Sequence, residues 1–136
     1  MHDSVKNLTI IRNKISKLVS EKQLKTNPEI IAVTKTFSLD KILPLIEIGH
    51  LHFGENKVNE SLEKWSDVRT KYKNIKLHMI GSLQSNKVKK AVQIFDYLHS
   101  LDSDKLASKI SKYENELGKK TKIFIQINIA DESQKS

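Results

Sequence analysis

The 136-residue chain has no cysteine. That excludes a disulfide framework, thiol catalysis and cysteine-ligated metal. No apolar run approaches the ~20 residues that a membrane-spanning helix needs. The opening segment, Met1 to Lys14, has no signal-peptide hydrophobic block. The expected setting is therefore cytoplasmic, with no membrane partner. Glycine is sparse, and Gly81 stands alone in its loop, so no glycine-rich phosphate cradle is present. Arginine is scarcer still: Arg12 and Arg69 are the only two among 24 basic residues. Base-specific readers of nucleic acid favour arginine, whose planar fork gives bidentate contacts. The net charge of +8 comes from lysines scattered along the chain. Such scatter fits a solvated surface better than a nucleic-acid footprint.

What is present is core material. Hydrophobic residues make up 38% and charged residues 29%, enough for one domain or part of a larger one. Val5, Leu8, Ile11, Ile15 and Leu18 recur at helical spacing, and Asn27-Pro28 is expected to end that helix. Ile30 to Val33 is an unbroken, β-branched run that reads as a buried strand. Ser38 caps a helix carrying Ile42, Leu45 and Ile46, with Gly49 as its stop. His52-Phe53 is a short strand candidate. Val58, Leu62, Trp65 and Val68 mark a helix, Leu77 to Ile80 a strand, and Val88, Ala91, Val92 and Phe95 another helical face. Tyr97 to Leu101 reads as a strand. Ser103 caps a helix carrying Leu106, Ile110, Tyr113 and Leu117, closed by Gly118. Lys122 to Ile129 is the most strand-like stretch. Strands alternating with helices imply parallel pairing through right-handed crossovers. Periodicity leaves two architectures open: a doubly wound sheet, or the first part of an eight-stranded barrel.

In either fold, chemistry collects at the carboxyl ends of the strands. Those ends are Thr34-Lys35-Thr36, Gly54-Glu55-Asn56, Gly81 to Lys87, Asp102-Ser103, and Asn128 running into Asp131 to Lys135. Lys35 is the sharpest candidate. It follows a buried run, and burial disfavours an ammonium and yields a neutral, nucleophilic amine. The plainer alternative is a lysine snorkelling to solvent. Glu55 is a possible base, or a partner for Lys57 or Lys87. His50 and His52 alternate on one side of a strand, and with His99 they lack metal-ligand spacing. His78, flanked by apolar residues, reads as a satisfied core or pocket histidine. Trp65 reads as core.

Several segments then carry a resemblance. Ile31 to Phe37 (IAVTKTF), Gly49 to Asn56 (GHLHFGEN), His78 to Lys87 (HMIGSLQSNK), Asp102 to Ala107, and Gln126 to Asn128 with Glu132, Ser133 and Lys135 occur in order. Together they resemble the pyridoxal phosphate homeostasis proteins, a family of carriers of pyridoxal 5′-phosphate (PLP). The resemblance implies an α/β fold: a parallel (β/α)8 barrel of the TIM type, similar to the N-terminal domain of alanine racemase. Here that barrel would be truncated after the fifth strand and preceded by an extra helix. The domain would comprise residues 1–27 as the N-terminal helix and 28–136 as five strands and four helices. It also implies that Lys35 holds PLP as an aldimine, and that Asn56, His78 and Ser82 line the cofactor pocket. Lys87 and Lys135 match recurrent lysines. Phe37 stands where many members carry a second lysine. The expected function is intracellular PLP homeostasis without catalytic turnover. Recipients would be PLP-dependent apoenzymes, and a full-length protein would be monomeric. The alternatives are an alanine-racemase-like PLP enzyme and a basic nucleic-acid-binding module.

Overall fold

A computed structural model describes residues 2–130. The proposed Asp131 to Lys135 segment, including Glu132, Ser133 and Lys135, lies outside the described residues. The elements run α1 (Asp3–Glu21), β1 (Ala32–Val33), α2 (Leu39–Glu47), β2 (His52–Glu55), α3 (Val58–Lys71) and β3 (Lys76–Met79). A 3-10 turn (Ser85–Lys87) leads into α4 (Val88–Ile94), followed by β4 (Tyr97–Leu101), α5 (Asp104–Leu117) and β5 (Lys122–Ile125).

The strands form one parallel sheet in the order β1-β2-β3-β4-β5. This order decides between the two open architectures. A doubly wound sheet reverses direction at a switch point, which places helices on both faces. Here every strand is added on the same side of the last, so right-handed crossovers carry α2 to α5 to one face. The result is the arc of a (β/α) barrel.

The core lies between that helical layer and the outer face of the sheet. Phe53, Trp65, Leu77, Val88, Val92 and Phe95 are all fully buried there. The pleat sends alternate residues to the inner face of the arc. Ser103 accepts a hydrogen bond from the Leu106 amide at the start of α5, and Gly118 ends that helix at φ +62. Gly49 at φ +89 ends α2 in the same way. Ser38 holds the N-cap position of α2, but its hydroxyl bonds to the Asp40 side chain and caps no amide.

Expectations for three elements need correction. Helix α1 ends at Glu21, ahead of Asn27-Pro28, where Gln23 takes a positive φ. Only Val5 and Leu8 of its apolar stripe are buried, while Ile11 and Leu18 are exposed. Strand β1 has two paired residues and is not a buried strand, because Val33 points to the open inner face and is 49% exposed. Strand β5 stops at Ile125, leaving Ile127 and Ile129 exposed.

Candidate functional site

At the carboxyl edge, β1 runs straight into a turn formed by Lys35 and Thr36, with Thr36 at φ +67. Thr34 anchors this turn. Its amide donates to the Gly54 carbonyl at 2.9 Å. Its hydroxyl donates to Glu55 Oε2 at 2.6 Å. Glu55 is buried, and the same oxygen accepts from Lys64 Nζ at 2.8 Å and Trp65 Nε1 at 3.0 Å. Lys64 Nζ also donates to the Thr34 carbonyl at 2.7 Å. Glu55 therefore pairs with Lys64 of α3, not with Lys57 or Lys87. The Thr34 and Glu55 side chains thus lie on the helical face, bonded to each other and to α3, and Lys35 and Asn56 follow them just beyond the paired strand residues. Lys35 itself is exposed. The expectation that its stem starts in a buried environment fails, because the inner face of β1 is open.

Beside this edge, a cavity of about 350 Å³ is lined by Asn56, Ser82, Gln84 and Lys87, among others. Two of the proposed pocket residues, Asn56 and Ser82, thus come together. Their approach depends on Gly81, since a Cβ there would lie 2.9 Å from Asn56 Cβ and 3.0 Å from its carbonyl oxygen. Contacts that short force the neighbour to move. Lys87, matched by resemblance without a duty, lines the same space, as does Gln84 from the same motif. Lys35 lies outside this cavity, at the end of the adjacent strand.

His78 lies elsewhere. It is buried on the inner face of β3, in a row of imidazoles that crosses three strands. His52 Nδ1 and His78 Nε2 are 2.9 Å apart, and His78 Nδ1 and His99 Nε2 are also 2.9 Å apart. A neutral ring donates from one nitrogen and accepts at the other. Both bonds must therefore point the same way along the row. Tyr97 stacks on His78 with ring centroids 4.1 Å apart, and Phe124 stacks on His99 at 4.6 Å. Burial, reinforced by the His99 and His52 charges, pushes His78 down to about 4, with Asp96 opposing weakly. Burial also lowers His99. Histidines spaced 26 and 21 residues apart give no local sequence signal, so strand register alone assembles the row. His50 does not join it. Its Nδ1 meets Arg12 of α1 at 2.7 Å, its Nε2 donates to the His52 carbonyl at 2.8 Å, and its ring packs edge-on against Phe53. Burial lowers its pKa too.

Among the described residues, no cluster of His, Asp or Glu side chains is placed to hold a metal. No described helix is long and apolar enough to cross a membrane.

The fold defines a class, parallel (β/α)-barrel proteins, and on its carboxyl edge lie an exposed lysine after the first strand and a cavity lined by Asn56 and Ser82. No family model matches the chain. Curated relatives and solved structures do. The chain is homologous to the pyridoxal phosphate homeostasis proteins. It is 35% identical to that of Haemophilus influenzae over 131 residues, 96% of this chain and 55% of the relative. It is 33% identical to that of Escherichia coli K12 over 140 residues, which is 100% of this chain and 59% of the relative. Among solved structures, PipY of Synechococcus elongatus PCC7942 with PLP bound matches at a TM-score of 0.71 and 33% identity, over 86% of this chain and 56% of that one. The crystal structure of an unknown protein from Bifidobacterium adolescentis matches at a TM-score of 0.82 and 26% identity, over 96% of this chain and 57% of that one. The chain thus spans a little over half the length of the relatives it matches.

Proposed function

We propose that this chain holds PLP reversibly through Lys35, as part of intracellular PLP homeostasis, and that it catalyses no turnover. The observation that carries the reading is an exposed Lys35 just after β1, on the same carboxyl edge of the sheet as the Asn56–Ser82 cavity, in a homologue of proteins named for PLP homeostasis. PLP, when bound, supplies an aldehyde that condenses with a primary amine and releases water. Lys35 supplies that amine, whose neutral form is the nucleophile. Its turn leaves it reachable from the carboxyl edge. Asn56 offers both donor and acceptor, Ser82 a hydroxyl, and Lys87 a cation suited to an anionic group. A carrier needs reversible capture and release toward apoenzymes. An enzyme needs in addition an acid–base group placed to move substrate protons. Glu55, the carboxylate nearest Asn56 in the chain, is buried on the helical face in its bonds to Thr34, Lys64 and Trp65, and so is not available for that task.

Absorbance-monitored PLP titration of the parent chain and of Lys35→Ala tests the reading. Saturable binding that Lys35→Ala abolishes supports it. Equal binding by both proteins, or Lys35-dependent racemisation of an amino acid, contradicts it.

A further inference from the structure

The buried Glu55–Lys64 pair poses a question. Glu55 is 1% exposed, and its carboxylate is bonded to three side chains. Taking two charges out of water is costly, and apolar residues of similar size would often serve stability as well. Stability alone is therefore a weak account of the pair. Its position indicates another.

Strand β1 has only two laddered residues and lies at the sheet edge. Such an edge is weakly held, yet Lys35 follows it by two residues. The backbone ladder does not restrain the Thr34 carbonyl. Lys64 Nζ does, at 2.7 Å, together with a turn bond from the Phe37 amide at 3.2 Å. The Thr34 hydroxyl is held by Glu55, and Glu55 is the residue before Asn56. One buried network therefore holds the Thr34 carbonyl directly before Lys35 and the side chain of Glu55, while the Glu55 carbonyl directly before Asn56 accepts from the Ile80 amide of the β3 edge at 2.9 Å.

We propose that Thr34, Glu55 and Lys64 form a positioning set. Their side chains act from the helical face of the sheet to fix the backbone from which Lys35 and Asn56 reach toward PLP. This inference deepens the Lys35 reading and rests on it. Lys64 is a positioning residue and takes no part in bonding to the cofactor. Its fork of contacts ties α3 to the end of β1 and replaces ladder bonds that an edge strand lacks. Loss of either charge would loosen the turn, leaving it to the Phe37 and Thr34 backbone bonds, without removing the amine. A misplacement of about 1 Å can lower reaction rates by about a hundredfold.

The test compares the parent, Glu55→Gln, Lys64→Met, Lys64→Arg and Ile110→Ala. Ile110 is buried in α5, away from this edge, so Ile110→Ala controls for lost stability. Two readouts are taken while each protein remains folded: hydrogen exchange of the 33–37 backbone without PLP, and the rate of PLP capture. Lys64→Met and Glu55→Gln are expected to exchange faster at 33–37 and to capture PLP at least about tenfold more slowly. Lys64→Arg should recover much of both, and Ile110→Ala should match the parent in both. If Lys64→Met captures PLP at the parent's rate, or if Ile110→Ala slows capture equally, the inference is wrong. If the parent itself captures no PLP through Lys35, the reading beneath it fails instead.

Discussion

At the scale of single residues, the inner-face histidines give the clearest pH signature. The His78 pKa lies near 4 in the folded chain, against about 6.5 for an unperturbed histidine. Between those values the unfolded chain binds the extra proton and the folded chain does not. Stability therefore falls as pH drops from about 6.5 toward 4, and the contribution is intact above that range. Denaturant melts across this window should show the loss, and His78→Gln should flatten the slope. An unchanged slope would show that other groups govern it. Gly81→Ala offers a second check. Its Cβ would collide with Asn56, so PLP affinity should fall even where the melt moves little. The strand end marked Lys35 as a candidate, while Asn56 and Ser82 were legible only through the motifs that carry the family resemblance. It misplaced the burial of Lys35 because burial depends on which face of an edge strand is covered. The Glu55 partnership was equally invisible, since Lys64 reaches it only through the packing of α3.

Among elements, legibility followed local chemistry. Helix α5 was readable from cap to stop because Ser103, the apolar stripe and Gly118 all act within one segment. Removing the cap with Ser103→Ala should cost about 1 kcal/mol, measurable in a thermal melt. Helix α1 was misread because a stripe shows what a helix can bury and says nothing about whether a partner covers it. Leu18→Ser on its exposed stripe should therefore shift stability by no more than about 0.5 kcal/mol. Trp65→Ala, in the fully buried core of α3, should cost about 3–5 kcal/mol. Equal costs for the two would contradict the burial assigned to α1. The end of β5 failed for a related reason. Its alternating isoleucines suit a strand, but pairing needs a neighbour, and β4 reaches no further than Ile125 and one bond from the Gln126 amide to the Leu101 carbonyl at 2.7 Å.

For the whole molecule, the sequential strand order turns five local strand–helix units into one arc. Periodicity could not supply that order, because crossover direction is a long-range property. The arc leaves β1 and β5 as edges and exposes Phe124, Ile125 and Ile127, a surface prone to edge pairing. Sedimentation of this chain should show association that grows with concentration and weakens in Ile127→Lys. The central claim, that the carboxyl edge of this arc presents Lys35 to PLP, has one direct measurement. The chain is incubated with PLP, reduced with borohydride, digested and mapped by mass spectrometry. The account predicts the pyridoxyl label on Lys35, with the other lysines carrying little. A label concentrated on Lys87 or Lys135, or spread evenly over the surface lysines, would contradict it.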